Sequence, residues 1–276
     1  MMRSMRSPTP VLTSFANPRV KAAIALRDRR ERDRTGLTLV DGARELRRAL
    51  DAGVVVAEAF ICESLLAGPD ARAAFDRLRA DGITLHTTSE PLFTKLAFGE
   101  RAEGIVAVVR IPTTVLDDLT LPPDSLVVVI EGVEKPGNVG ALLRSADGAG
   151  VDAVVAASPR TDVFNPNAIR ASAGTVFSVP LATAPTGAVI AWLRAGSFRI
   201  VAARVDAARL YTATDLTGPV AIVLGAEAGG LTSAWTDADM ESMRLPMLGS
   251  ADSLNVSVSG AVLLYEARRQ RGGPPV

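Results

Sequence analysis

The sequence predicts an α/β protein built from two domains. Short apolar segments alternate with segments of helical spacing along the 276 residues, which is the pattern of helices packed against sheets. The second half contains continuous apolar runs, such as residues 126–130, and strands of this kind belong to parallel sheets buried on both faces. Between the halves, residues 111–124 hold three prolines and two adjacent aspartates, so we predict an interdomain linker there.

Composition narrows the class of protein. No apolar run approaches the ~18 residues needed to span a bilayer, and the basic residues 1–10 are not followed by the apolar stretch of a signal peptide. The single cysteine, Cys62, excludes a disulfide within the chain, and the single histidine, His86, excludes a histidine-based metal cluster. We therefore expect a soluble, cytoplasmic protein with no metal and no membrane partner.

The first half predicts a disordered tail over residues 1–10 and a small α/β domain over residues 11–110. Asn17 is a good N-cap and Pro18 a good first residue for a helix, which we expect to continue through the charged cluster 27–34 and to stop at Gly36. The remaining elements predicted in this domain are strands at residues 37–40, 54–61, 83–85 and 104–109, and helical segments at residues 42–51, 70–80 and 92–96.

The second half predicts an open parallel sheet over residues 125–276, with loops at the carboxyl ends of its strands, where such sheets bind ligands. The expected strands are residues 125–130, 153–156, 176–180, 200–203 and 220–224, and the expected helices are residues 139–149, 166–173, 187–195 and 256–269.

A first motif, residues 136–144, follows a strand and opens a helix. Its glycines allow close backbone approach, and Asn138 can cap a helix that begins near Val139. Arg144 lies nearly two turns further along. The same spacing is also compatible with an ordinary strand–helix turn and a surface arginine that binds no ligand. A phosphate loop and a dinucleotide fold are disfavoured, because neither glycine fingerprint is present.

A second motif, residues 224–230, also follows a strand. Gly225 ends the strand, Glu227 lies in the loop, and Gly229 and Gly230 leave the backbone bare. A bare backbone can bond an adenine edge or a ribose. Taken alone, the motif is explained as well by a glycine-rich turn with a solvated glutamate.

A third motif runs from residues 245–247 to residues 253–258. Ser253, Leu254 and Asn255 precede a helix rich in small residues, and serine and asparagine at a helix start place donors around an anion or carboxylate. Simple N-capping is the alternative. We favour it less, because two polar residues flank Leu254 without an evident role in the core.

Together the three motifs resemble those of the SpoU/TrmH family of RNA ribose 2′-O-methyltransferases, most closely the branch that acts on 23S rRNA, over about residues 125–271. Residues 17–21 and 41–44 resemble that family's substrate-binding domain, although Asp41 stands where glutamate is usual. The resemblance implies a SPOUT-type α/β domain with a trefoil knot, S-adenosylmethionine as methyl donor, and a homodimer.

The resemblance also implies which residues form the site. The positions that match the family's polar active site are Asn138, Arg144, Glu227, Ser253 and Asn255. Those that match its cofactor site are Gly225, Glu227, Gly230, Leu245, Met247, Ser253, Leu254 and Asn255. Arg144 is often assigned as the base in this family. A guanidinium ordinarily stays protonated far above neutral pH, however, and a base near pH 7 would need its pKa lowered by a very large amount. We therefore favour an electrostatic role for Arg144 and keep the base as the second hypothesis.

Charge indicates where RNA would bind. Residues 1–34 carry nine basic and three acidic side chains. A solvent-exposed helix face without a ligand would also explain this excess of positive charge. The predicted phosphate contacts are Arg27, Arg29, Arg30, Arg32, Arg34, Arg144 and Arg170. Aromatic scarcity argues against extensive base stacking.

The function predicted is S-adenosylmethionine-dependent methylation of a ribose 2′-hydroxyl in structured RNA. The long N-terminal domain favours ribosomal RNA over tRNA, which is the first alternative. The second is a catalytically silent RNA-binding or ribosome-assembly protein, and the intact polar motif residues argue against it. A nucleotide-dependent enzyme on an ordinary Rossmann sheet is the third.

Overall fold

The computed structural model describes residues 10–98, 103–226, 229–237 and 239–272, and the chain divides into two compact units, Met1–Ile111 and Pro112–Val276. Apart from Pro10, the predicted disordered tail lies outside the described residues. Within those residues, no helix is long and apolar enough to cross a membrane, and no group of three or more His, Cys, Asp or Glu side chains could hold a metal ion.

The described part of the first unit contains a mixed four-stranded sheet and its helices. The elements are α1 (Pro18–Ala25), α2 (Arg29–Thr35), β1 (Leu37–Asp41), α3 (Ala43–Asp51), β2 (Val56–Ile61), α4 (Pro69–Ala80), β3 (Leu85–Thr87), α5 (Glu90–Leu96) and β4 (Ile105–Arg110). The strand order is β1-β4-β2-β3, in which β4 is antiparallel to both neighbours and β2 is parallel to β3. A buried apolar cluster packs α1 and α5 against this sheet.

The single helix predicted through residues 18–34 is wrong. The structure has two helices, α1 and α2, and the second begins at its own N-cap, Asp28, whose carboxylate accepts from Arg30 N at 2.8 Å. Where α1 ends, the Arg32 guanidinium donates to Leu26 O and Arg27 O, each at 2.9 Å. An arginine therefore satisfies the carbonyl groups that the break leaves without helical partners.

The second unit is a six-stranded parallel sheet with helices in its connections. The elements are β5 (Leu126–Glu131), α6 (Pro136–Ala149), β6 (Ala153–Ala157), α7 (Pro166–Ala171), β7 (Leu181–Ala184), α8 (Thr186–Ala195), β8 (Arg199–Ala203), β9 (Val220–Leu224), β10 (Glu241–Met243) and α9 (Val256–Gln270). The strand order is β10-β8-β9-β5-β6-β7, and every recorded pairing is parallel. This confirms the predicted α/β class with a parallel sheet.

One expectation for this unit is corrected. Residues 176–180 do not form a strand: Thr175–Phe177 is a 3-10 turn, and β7 begins after Pro180, which has no N–H to donate to a sheet. In the segment predicted as an interdomain linker, residues 111–124, Leu116 is buried in the core of the second unit, and Thr183 N donates to Thr114 O at 2.8 Å.

Glycines let α6 lie close to its neighbours. A Cβ atom at Gly140 would stand 2.5 Å from Ala168 O of α7, and one at Gly260 of α9 would collide with the Leu142 side chain of α6. Close approach of this kind requires the absent side chain. At its far end α9 is fastened by Arg271, which donates to Leu216 O at 3.0 Å and to Asp124 O at 2.7 Å.

Candidate active site at the carboxyl edge of the second sheet

A cavity of about 520 Å³ opens where β8, β9 and β10 end. Most of the site residues predicted from the motifs line this cavity. Those lining it from motifs two and three are Gly225, Gly230, Leu245, Met247, Ser253, Leu254 and Asn255. The carboxyl ends of parallel strands meet at one edge of a sheet, so the strand order brings these distant segments together.

The wall from motif two is a loop that folds back on itself. We call residues 225–226 and 229–231 the glycine loop. Ala226 N donates to Gly230 O at 3.1 Å, and Gly230 N donates to Ala226 O at 3.0 Å. A Cβ atom on Gly225 would lie 2.6 Å from Gly230 O and closer still to Gly230 C and Leu231 N, so a glycine is required there. Glu227, predicted for both the catalytic and the cofactor site, lies outside the described residues.

The wall from motif three ends at the start of α9. Asn255 is the N-cap, and its Oδ1 accepts from Ser257 N at 2.9 Å and from Ser257 Oγ at 2.7 Å. Ser253 and Leu254 precede it on the cavity wall, and Leu254 is 42% exposed. A short polar cap thus leaves an apolar side chain and a hydroxyl facing open space.

Motifs one and three meet through their asparagines. Asn255 Nδ2 donates to Asn138 Oδ1 at 3.1 Å, which joins the first turn of α6 to the start of α9. Asn138 is not the N-cap of α6: the helix begins at Pro136, with Lys135 as N-cap and no side-chain capping bond. The prediction that Asn138 caps this helix is therefore wrong, and its side chain faces motif three instead.

The two arginines predicted to hold phosphate in this unit lie on neighbouring helices. Arg144 is exposed on α6, beyond the lining of the cavity, and Arg170 is half-buried on α7. The close packing at Gly140 holds these helices together. The structure therefore puts Arg144 on the helix that carries Asn138.

Sequence reasoning missed three charged residues on the cavity wall: Lys135, Arg204 and Asp252. The Arg204 guanidinium bonds both oxygens of Asp206, at 3.0 and 3.1 Å, and this hydrogen bonding raises the pKa of Arg204. Lys135 directly precedes motif one, and this adjacency was the available signal. Arg204 follows β8, for which no motif was recognised.

The N-terminal arginines have different environments. Arg32 is 1% exposed and bonded to backbone carbonyls, which contradicts its predicted contact with RNA. Arg27 donates to Lys95 O and Leu96 O at 2.8 Å, and burial lowers the pKa of its guanidinium while the charge of Asp41 raises it.

The other three arginines of this cluster lie on the surface of α2. Arg29 pairs with Asp33 at 3.6 Å, and Arg34 pairs with Glu31. The hydrogen bond from Arg34 lowers the pKa of Glu31. Arg30 is exposed, and its backbone N–H bonds the Asp28 cap. Among the described residues, Arg30 is therefore the surface cation of α2 without a recorded ion pair.

Comparison with known proteins agrees with this arrangement. Residues 125–265 match the model of the SpoU rRNA methylase family, and residues 17–107 match the MRM3-like substrate binding domain. The chain is 32% identical over 279 residues to a 23S rRNA (uridine(2479)-2′-O)-methyltransferase from Streptomyces viridochromogenes, with 98% of this chain and 96% of that protein covered.

Solved structures give the same result. A crystal structure of an RNA 2′-O ribose methyltransferase superposes with a TM-score of 0.84 at 41% identity, covering 95% of this chain and 99% of the other. The SpoU methyltransferase AviRb from Streptomyces viridochromogenes, in complex with the cofactor AdoMet, superposes with a TM-score of 0.83 at 30% identity, covering 92% and 98%. Because the family model spans more than half of the sequence and the relatives align along nearly all of it, this protein belongs to the SpoU rRNA methylase family.

Proposed function

We propose that this protein transfers a methyl group from S-adenosylmethionine to the 2′-hydroxyl of a ribose in ribosomal RNA. One observation carries the proposal: two glycine- and asparagine-rich loops line a single cavity, and a hydrogen bond from Asn255 to Asn138 joins that cavity to the helix that bears Arg144. The names of the relatives, which include a 23S rRNA 2′-O-methyltransferase, support both the reaction and the class of RNA.

The cavity suits the proposed cofactor in size and in chemistry. Its volume of about 520 Å³ falls in the range of small-molecule sites, roughly 300–1,000 Å³. Gly225 and Gly230 offer bare backbone to an adenine edge or a ribose, while Leu245, Met247 and Leu254 add apolar surface. When bound, the cofactor supplies a methyl group activated by attachment to a sulfonium. The chain's own task is to orient that group and exclude competing geometries.

The polar residues act on the receiving side. Ser253 and Asn255 stand at the start of α9, and Asn138 stands beside Asn255. These side chains can hold a ribose hydroxyl in line with the methyl group. We assign Arg144 to the RNA phosphate: it presents a planar set of donors from an exposed helix face, and its positive charge favours loss of the hydroxyl proton.

The first unit, which we propose acts as the RNA-selecting domain over residues 11–110, would contribute phosphate contacts from α2. Arg30 is the strongest candidate, because it is exposed and has no recorded ion pair among the described residues. Arg29 and Arg34 also lie on the surface, but each must compete with an acidic neighbour. The match to a substrate binding domain supports this role.

We also propose a homodimer that works in the cytoplasm, where ribosomal RNA is available. Val258 and Tyr265 of α9 are 48% and 55% exposed, and residues seven apart share one face of a helix. A second copy of the chain would cover this face. Light scattering measures the mass directly, and a monomer at all concentrations would contradict this part of the proposal.

Two measurements test the proposed reaction. Calorimetry with S-adenosylmethionine measures binding, and transfer of a radiolabelled methyl group is followed on ribosomal RNA that lacks its own methylation, with tRNA as the parallel substrate. A 2′-O-methyl group blocks alkaline cleavage at its nucleotide, so the modified position can be mapped. Binding followed by transfer to ribosomal RNA is the expected result. Methyl transfer only to tRNA would contradict ribosomal RNA as the substrate. Cofactor binding without transfer to either RNA would favour the alternative of a catalytically silent RNA-binding protein.

A further inference from the structure

A buried carboxylate at the end of β5 has no role in the proposed reaction. Glu131 is the last residue of β5 and is 3% exposed. Its Oε2 accepts from Thr232 N at 2.8 Å, and its Oε1 accepts from Thr232 Oγ1 and Thr186 Oγ1, each at 2.9 Å. Among the described residues, no lysine or arginine forms a recorded ion pair with it. A buried carboxylate held only by neutral donors is costly unless each bond is kept.

The bonds to Thr232 join segments 101 residues apart. Thr232 directly follows Leu231, the last residue of the glycine loop, and precedes Trp235, which is 1% exposed in the core. The other end of the loop continues from β9, which pairs with β5 at Ile130 and Leu224. Neighbouring strands therefore fix both ends of the loop, one through the sheet ladder and the other through the Glu131 carboxylate.

We infer that Glu131 is a positioning residue for the cofactor: by holding Thr232, it keeps the glycine loop closed against the cavity. The inference rests on the proposed function. The loop contributes Gly225, Ala226, Gly229 and Gly230 to the wall, and its fold-back depends on two backbone bonds between Ala226 and Gly230. A loop of this kind binds a ligand only as well as its closed form is populated.

The two threonines provide a matched pair of variants. Both hydroxyls donate to the same oxygen, Glu131 Oε1, at the same distance of 2.9 Å. Thr232 lies at the end of the glycine loop, whereas Thr186 is the first residue of α8 and does not line the cavity. The Thr186 hydroxyl also bonds Ser158 Oγ at 3.0 Å. Thr186→Val therefore removes at least as much bonding as Thr232→Val, yet only Thr232→Val loosens the loop.

We expect Thr232→Val to raise the Kd for S-adenosylmethionine about five- to tenfold, which corresponds to the net loss of one ordinary hydrogen bond, about 1 kcal/mol. The KM for the cofactor should rise by a similar factor, with kcat at saturation changed less than twofold. Thr232→Ser keeps the hydroxyl and should restore the wild-type Kd. Thr186→Val should leave the Kd within twofold of wild type.

Calorimetry of the full chain, with Tm recorded for each variant, decides the matter. Equal Kd values for Thr186→Val and Thr232→Val would overturn the inference, as would a Thr232→Val variant that binds the cofactor like wild type. A Glu131→Gln variant that folds should bind at least as weakly as Thr232→Val; if it fails to fold, the threonine pair still gives the answer. Failure of the proposed function looks different, because the wild-type protein itself would then not bind S-adenosylmethionine.

Discussion

Replacing Gly225 with alanine tests whether the fold of the glycine loop controls cofactor binding. The new Cβ atom would lie 2.6 Å from Gly230 O and closer still to Gly230 C and Leu231 N. All three are backbone atoms, so no side chain can rotate away. The two arms of the loop must separate by about 1 Å to reach an ordinary contact near 3.5 Å.

That separation sets the size of the effect. It would lengthen the two hydrogen bonds between Ala226 and Gly230, now 3.0 and 3.1 Å, beyond bonding range. Two such bonds contribute about 2 kcal/mol together. If the closed and open loops are equally stable in the wild type, the competent fraction falls from one half to about 3%, and the apparent Kd for S-adenosylmethionine rises about 15-fold.

Calorimetry gives the Kd, and thermal melting shows whether the variant is folded. Gly187→Ala is the matched control, because a Cβ atom there meets nothing within 4 Å and the residue lies in α8, outside the lining of the cavity. The control should bind like wild type. A folded Gly225→Ala protein with a Kd within twofold of wild type would refute the reasoning.

Three further predictions concern the polar residues. Arg144→Ala should lower kcat about a hundredfold in the methyl-transfer assay. Arg144→Lys should recover part of that loss only if the positive charge matters and the planar, two-donor geometry of the guanidinium does not. Asn255→Asp should keep the capping bond, and with it the urea midpoint, yet lose the donor to Asn138 and most of the activity; unchanged activity would contradict the role of that bond. Arg30→Ala should reduce the salt slope of RNA binding by about 1, whereas Arg32→Ala should lower Tm through its unsatisfied carbonyls, and the opposite pattern would reverse the two assignments.

Helix ends could be predicted from the sequence because they depend on local chemistry. The N-cap at Asn17 was predicted from residue type alone, because a short polar side chain before a helix bonds the N–H two residues on. Gly36 ends α2 in the left-handed conformation, as a glycine at that position predicts. Each of these features depends only on a few neighbouring residues.

The predictions that were wrong concern residues whose conformation depends on packing against distant parts of the chain. Residues 176–180 were predicted as a strand because Val176 and Val179 are apolar. In the structure both are buried, Val176 within a 3-10 turn and Val179 just after it. Arg32 read as a surface cation because its neighbours are charged, and only the break between α1 and α2 gives it carbonyls to bind. Glu131 could not be singled out, since its partner Thr232 lies 101 residues away. The trefoil knot implied by the resemblance stays a prediction.

The pairing of α6 with α9 explains how a chain without net charge can offer an anion a favourable place. The bond between Asn138 and Asn255 brings the N-termini of both helices to the same edge of the sheet, and the first N–H groups of a helix carry partial positive charge. Lys135 and Arg204 line the cavity there as well. RNA phosphate and the carboxylate of the proposed cofactor are both anions, so the helix N-termini and Lys135 favour both groups at this edge, while Asp252 on the wall and Asp206 beside Arg204 oppose them.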